Sequence, residues 1–143
     1  MSQPRLLIIA GTFYRDVADA LIAGATGAAE AACAAHDLVE VPGALEIPAA
    51  IVQAELAEAG FDGYVALGCV IRGETSHYDY VCGESARGLM DLNLEGLAVG
   101  NGILTVENRA QALKRARDKN KGADAANAAL SLIALRDRFR SQS

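Results

Sequence analysis

Two kinds of apolar pattern alternate along the chain. Three segments, "RLLIIAGTF" (5–13), "GYVALGCVIRG" (63–73) and "LAVGNGILTV" (97–106), are apolar at successive positions rather than at every second one. Strands read this way when both faces of a parallel sheet are covered. A shorter strand segment, "DLVEVPG" (37–43), stops at Pro42-Gly43. Between these lie segments of helical character at 15–35, 47–60, 76–95, 108–119 and 123 to about 140. Alternating strands and helices predict right-handed crossovers and a layered α/β sandwich, with a parallel sheet of about four strands between helices. Ligands of such sheets bind outside the carboxyl ends of the strands. The last segment stands apart, because "ADAANAALSLIAL" is apolar nearly all the way round. A helix of that kind is buried on more than one side, so a second subunit is expected to cover what its own sheet does not; an Ala-rich surface helix is the alternative.

Composition narrows the function more than the fold. At 143 residues the length prior gives one domain, 1–143. Hydrophobic residues at 52% and charged ones at 22% exclude disorder, and a net charge of −5 offers no basic footprint for nucleic acid. An anionic ligand therefore has to be met by a local site. Cys33, Cys69 and Cys82 are odd in number and lack C-x-x-C spacing, so neither a disulfide framework nor a zinc site is indicated, and a reducing cytoplasm is expected. No apolar run reaches the ~18 residues of a membrane span, and the N-terminus lacks an export pattern.

Polar chemistry collects at one strand end. In "VALGCVIRGETSHYDYVC" (65–82) a buried-strand pattern turns abruptly into Arg72, Glu74 and His77. Ser76 and Asp79 have the S-x-x-D form of a capping box, which predicts a helix start there with His77 in the first turn. Imidazole is the side chain suited to moving protons near neutral pH. The free backbone N–H groups of 73–76, with Gly73 in the turn, form a ready anion site, although no Walker-type motif is present and a His at a helix start also serves as a surface or capping residue. In "VPGALEIPAA" (41–50) Glu46 falls in the first turn of a helix that tolerates Pro48. The backbone of Ala44 and Leu45 with the Glu46 carboxylate would suit a hydroxyl-rich or amide-like ligand; equally, Glu46 favours the helix dipole. Phe13 and Tyr14 follow the first strand, where an exposed ring could stack on a flat heterocycle or fill the core. Arg115 lies roughly 200° around its helix from Leu113 and so faces away from its own core. "KRARDKNKG" (114–122) reads as a solvated connection, and Arg72 as one half of a structural ion pair.

Four of these stretches, "PGALEIP", "LGCVIRGETSHYDYVC", "NGILTVEN" followed by "ALKRA", and "NKGADAA", stand in the order and spacing of one enzyme family. Along essentially its whole length the chain resembles 6,7-dimethyl-8-ribityllumazine synthase, the penultimate enzyme of riboflavin synthesis. The resemblance implies a flavodoxin-like three-layer sandwich that assembles as homopentamers, with each active site between adjacent subunits. It implies a transferase without cofactor that condenses 5-amino-6-(D-ribitylamino)uracil with 3,4-dihydroxy-2-butanone 4-phosphate, and a functional link to riboflavin synthase. By motif position His77 would transfer protons and Phe13 would stack on the pyrimidine. Ala44, Leu45 and Glu46 would hold the ribityl side, while Cys69, Val70 and Ile71 would line the ring pocket. Glu74 and Thr75 match the phosphate-binding segment. Arg115 would grip that phosphate from the next subunit and Asn101 would reach in beside it, with Lys121, in "NKG", as a secondary candidate. The chain departs from many members at Asn101, where they carry Phe, and at Tyr14, where Asn is common. "RARDKNKG" is shorter than in shell-forming members, which favours an isolated pentamer.

Overall fold

The structure, a computed structural model, describes residues 3–142. Strand β1 (Arg5–Gly11) leads through α1 (Arg15–Ala31) to β2 (Ala35–Val41), and a single 3₁₀ turn (Ala44–Glu46) opens α2 (Ile47–Leu56). Then come β3 (Gly63–Ile71), α3 (His77–Leu94), β4 (Val99–Val106), α4 (Arg109–Ala116) and α5 (Lys121–Ser141). The four strands form one sheet in the order β2-β1-β3-β4, with every pairing parallel. This is the expected four-stranded parallel sheet in an α/β sandwich of the flavodoxin-like kind.

The unbroken apolar runs have the predicted cause. In β1 every residue after Arg5 is buried, and β3 is buried through Gly68. The two-residue period of the strands then divides their side chains between two layers. Leu6, Ile8, Val65 and Leu67 pack with Leu21, Ala112, Ala126 and Ile133 of α1, α4 and α5. Their neighbours Leu7, Ile9, Tyr64 and Ala66 pack with Ile47, Ile51 and Leu89 of α2 and α3. Fully burying one such Leu or Ile contributes about 1.5–3 kcal/mol, so these two central strands hold most of the apolar stabilisation. Strand order reverses between β1 and β3, and the crevice outside their carboxyl ends is where such folds take ligands.

Helix α1 stops at Ala31 and α2 at Leu56, each four residues before the apolar pattern does. Both end in a left-handed residue that is not glycine, Cys33 (φ 57°) and Glu58 (φ 52°). The amides of Ala34 and Cys33 donate to Ala29 and Glu30, and those of Ala59 and Glu58 to Ala54 and Glu55, so each end closes as a Schellman motif.

Helix α5 seats unusually deep. A β-carbon on Gly122 would lie 2.1 Å from the carbonyl oxygen of Leu21, and one on Gly100 only 1.8 Å from that of Ala125. The alanines of α5 are thus partly explained by close approach to α1 and β4 within one chain. Ala125, Ala126, Ala129 and Ile133 are buried, while Leu132, Leu135 and Phe139 stay 38%, 45% and 60% exposed on the other side. Among the described residues no helix is long and apolar enough to cross a membrane.

Candidate active site

The first part of the site forms where β1 and β3 end. Gly11 closes β1 against the β2–α2 turn, since a β-carbon there would lie 3.0 Å from the carbonyl carbon of Gly43. The amide of Thr12 then donates to Val41 at 3.0 Å, and the chain turns with Phe13 projecting, 76% exposed. Core filling by Phe13 is therefore excluded. Its ring meets that of Tyr14 edge-on with centroids 4.9 Å apart, which leaves a face open. Opposite lie Ala44, Leu45 and Glu46, and the floor is Cys69, Val70 and Ile71, around a cavity of about 460 Å³. Glu46 belongs to the 3₁₀ turn rather than to the first turn of α2, and it makes no capping hydrogen bond. Its carboxylate is exposed and lines the cavity, and as the residue that precedes Ile47 it also stands at the positive end of the α2 dipole.

The remaining wall of this cavity is the turn after β3. Gly73, Thr75, His77 and Tyr78 line it, whereas Glu74 is exposed and outside the lining. The expected capping box is not formed. Ser76 adopts an αR conformation with no side-chain cap, and Asp79 turns towards Arg72, 3.7 Å away. The Thr75 hydroxyl takes over, accepting from the His77 amide at 3.3 Å. This exchange is local: a cap oxygen two residues back holds the first amide, and α3 still starts at His77. Within the described residues no hydrogen bond engages the amides of Gly73, Glu74, Thr75 or Ser76, so the turn presents donors to an incoming anion. Burial pushes the Cys69 thiol up to about 11, with the Arg109 guanidinium pulling the other way. The thiol stays protonated at neutral pH and lines the pocket as a small apolar group rather than as a nucleophile.

Asn101, Arg115 and Lys121 are not in this cavity. They line a second one of about 440 Å³, along the open edge of β4 and bounded by α5. Arg115 is exposed, as its helical position predicts, although Ala112 is buried with Ala116 while Leu113 is half-buried. Its guanidinium contacts only the Gln111 carbonyl, at 3.5 Å, and makes no ion pair among the described residues. Arg72 and Arg109, by contrast, are committed to Glu107 and Asp16. Lys121 sits 3.4 Å from Asp124. Asn101 folds its side-chain oxygen onto the amide of Ile103 at 2.9 Å, satisfying a donor that an edge strand would leave open. The expected site residues therefore fall into two groups in two cavities of one chain.

Some lining residues escaped the motif reading. Tyr78 and Val81 wall the first cavity, and Thr105 and Asp124 the second. Tyr78 and Val81 lie within the quoted motif, and helical spacing from His77 could have singled out Val81. Thr105 faces the cavity because it alternates with Leu104, which strand periodicity also foretells.

Residues 3–137 match the family model described as 6,7-dimethyl-8-ribityllumazine synthase. Curated proteins of that name are similar along nearly their whole length. The one from Bartonella tribocorum is 56% identical over 140 residues, covering 96% of this chain and 93% of its own. Those from Novosphingobium aromaticivorans and Agrobacterium fabrum are each 55% identical, the first covering 94% of this chain and 98% of its own, the second 97% and 99%.

Proposed function

The chain belongs to the 6,7-dimethyl-8-ribityllumazine synthase family, and we infer from that membership that it is a transferase of riboflavin biosynthesis. It condenses 5-amino-6-(D-ribitylamino)uracil with 3,4-dihydroxy-2-butanone 4-phosphate to 6,7-dimethyl-8-ribityllumazine, releasing phosphate and water. The amine of the uracil attacks the ketone and forms an imine with loss of one water, phosphate leaves by elimination, and the ring closes with loss of a second water.

In this reading residues 1–143 act as one synthase domain. His77 relays protons between the reacting atoms, help that is typically worth ~10²- to 10⁴-fold. Phe13 stacks on the pyrimidine; Ala44, Leu45 and Glu46 hold the ribityl chain; Cys69, Val70 and Ile71 form the bed of the ring. Thr75 and the amides around it receive the phosphate, with Glu74 alongside. Arg115, Asn101 and Lys121 come from a neighbouring copy. Holding two substrates in register supplies most of the remaining rate, since orientation contributes on the order of 7 to 11 kcal/mol in favourable cases. The enzyme works as a cytoplasmic homopentamer and passes its product to riboflavin synthase.

One observation carries the composite site: the stacking ring and the imidazole line one cavity, while the unpaired guanidinium lines another. A heterologous, head-to-tail contact that closes into a ring would bring the second cavity of each copy to the first cavity of the next. The test is to refold His77→Ala and Arg115→Ala chains together. Random mixing in a ring should restore about a quarter of the sites, and with them lumazine formation well above either variant alone. No recovery in mixed rings would refute shared sites.

A further inference from the structure

The 73–77 turn is held by very little of its own. It is exposed throughout, contains a glycine, and its one recorded internal tie is the long contact from the His77 amide to the Thr75 hydroxyl. A loop of that kind samples many conformations, yet the synthase reading asks it to present several amides and an imidazole in fixed register.

Arg72 spans it. Its backbone amide donates to Val106 at 2.9 Å, continuing the β3–β4 ladder one step beyond the strand. Its side chain then reaches across the turn to the far end. The guanidinium carbon lies 4.3 Å over the ring of Tyr78, and one terminal nitrogen is 3.7 Å from Asp79. Tyr78 and Asp79 immediately follow His77, so one side chain connects the residue that begins the turn with those that end it. Nε donates to Glu107 at 2.7 Å. Glu107 is itself anchored, since its amide donates to the Gln111 side chain at 2.8 Å and Asn108 caps α4 by accepting from the Gln111 amide at 2.9 Å.

We propose that Arg72, clamped by Glu107 and stacked on Tyr78, is a positioning residue that fixes the 73–77 turn and so sets both the phosphate cradle and His77. The proposal rests on the synthase reading and deepens it. Arg72 does not bind the phosphate: its Nε is taken by one carboxylate, a second carboxylate stands nearby, and Tyr78 covers one face of the plane. Exposed ion pairs add little to global stability, so the consequence falls on the turn rather than on the fold. A planar fork that pairs and stacks at once is a task lysine cannot perform.

Arg72→Lys and Glu107→Gln test this in the full-length chain. Both should raise KM for the butanone phosphate by about 5- to 30-fold and lower kcat, while KM for the pyrimidine stays within about twofold. Melting temperatures should stay close to that of the unaltered protein, and the double variant should be little worse than the worse single one, because both changes release the same clamp. Calorimetric titration with inorganic phosphate should show the same weakening without turnover, which keeps a failure of this proposal distinct from a failure of the synthase reading. If Glu107→Gln tightens phosphate while Arg72→Lys weakens it, Arg72 is a phosphate ligand and the proposal falls. Unchanged phosphate affinity and KM in both variants would also overturn it, whether or not the melting temperature drops.

Discussion

The two cavities are nearly equal in size, about 460 and 440 Å³, and opposite in construction. The first is sunk at the carboxyl ends of β1 and β3, walled by rings, aliphatic side chains and backbone, with one imidazole. The second runs along the free edge of β4 and offers an amide, a hydroxyl, two cations and a carboxylate. A flat heterocycle needs a preformed apolar slot, which only the interior ends of buried strands provide. A strong cation is most useful where it has no partner within its own chain, and a sheet edge is where such a group can remain unpaired until a ligand or another copy arrives. The first cavity offers a phosphate only neutral amides and a hydroxyl, and the unpaired guanidinium lines the second.

Perturbing each half separately tests the division. The largest effect is expected for Arg115→Ala: kcat/KM should fall about 10²- to 10³-fold, mainly through KM for the phosphate substrate, as loss of a charge-paired contact implies. For His77→Ala, kcat should drop about 10²-fold with both KM values little changed, leaving activity that orientation alone sustains. Equal loss of both parameters in each variant would erase the distinction between the cavities. Phe13→Ala should raise the pyrimidine KM about tenfold, in line with stacking worth ~1–3 kcal/mol, without moving the melting temperature, because the ring is exposed. Asn101→Phe sharpens the contrast from the other side. It should lower the pyrimidine KM about threefold and cost about 1 kcal/mol of stability, since the Ile103 amide loses its acceptor. Steady-state kinetics and thermal melts on the four variants measure all of this.

Much of the fold could be read from apolar periodicity because β1 and β3 are covered on both sides, a condition that writes itself into consecutive residues. Helix ends were less legible. Only α3 is followed by a glycine in the left-handed position, Gly96, whereas Cys33 and Glu58 do the same work with no compositional signal. The capping box at Ser76 failed for a related reason: Asp79 has a stronger partner in Arg72, which no local pattern reveals. That Arg72 is ion-paired was foreseeable, but the identity of Glu107 as its main partner needs the β3–β4 pairing in three dimensions. Residue types at the site could be read from motifs; their separation into two cavities could not, because it depends on which side of the β4 edge each helix lies.

The tight seat of α5 bears on how the protein could be hardened against heat. Replacing glycine by alanine inside a helix is a customary first step, worth about 0.5–1 kcal/mol where a methyl group fits. Helix α1 carries two such glycines three residues apart. At Gly27 nothing stands within 4 Å of the added carbon, so the exchange should help. At Gly24 that carbon would lie 2.1 Å from the Asn120 side-chain oxygen, and the same exchange should loosen the residue on which α5 begins.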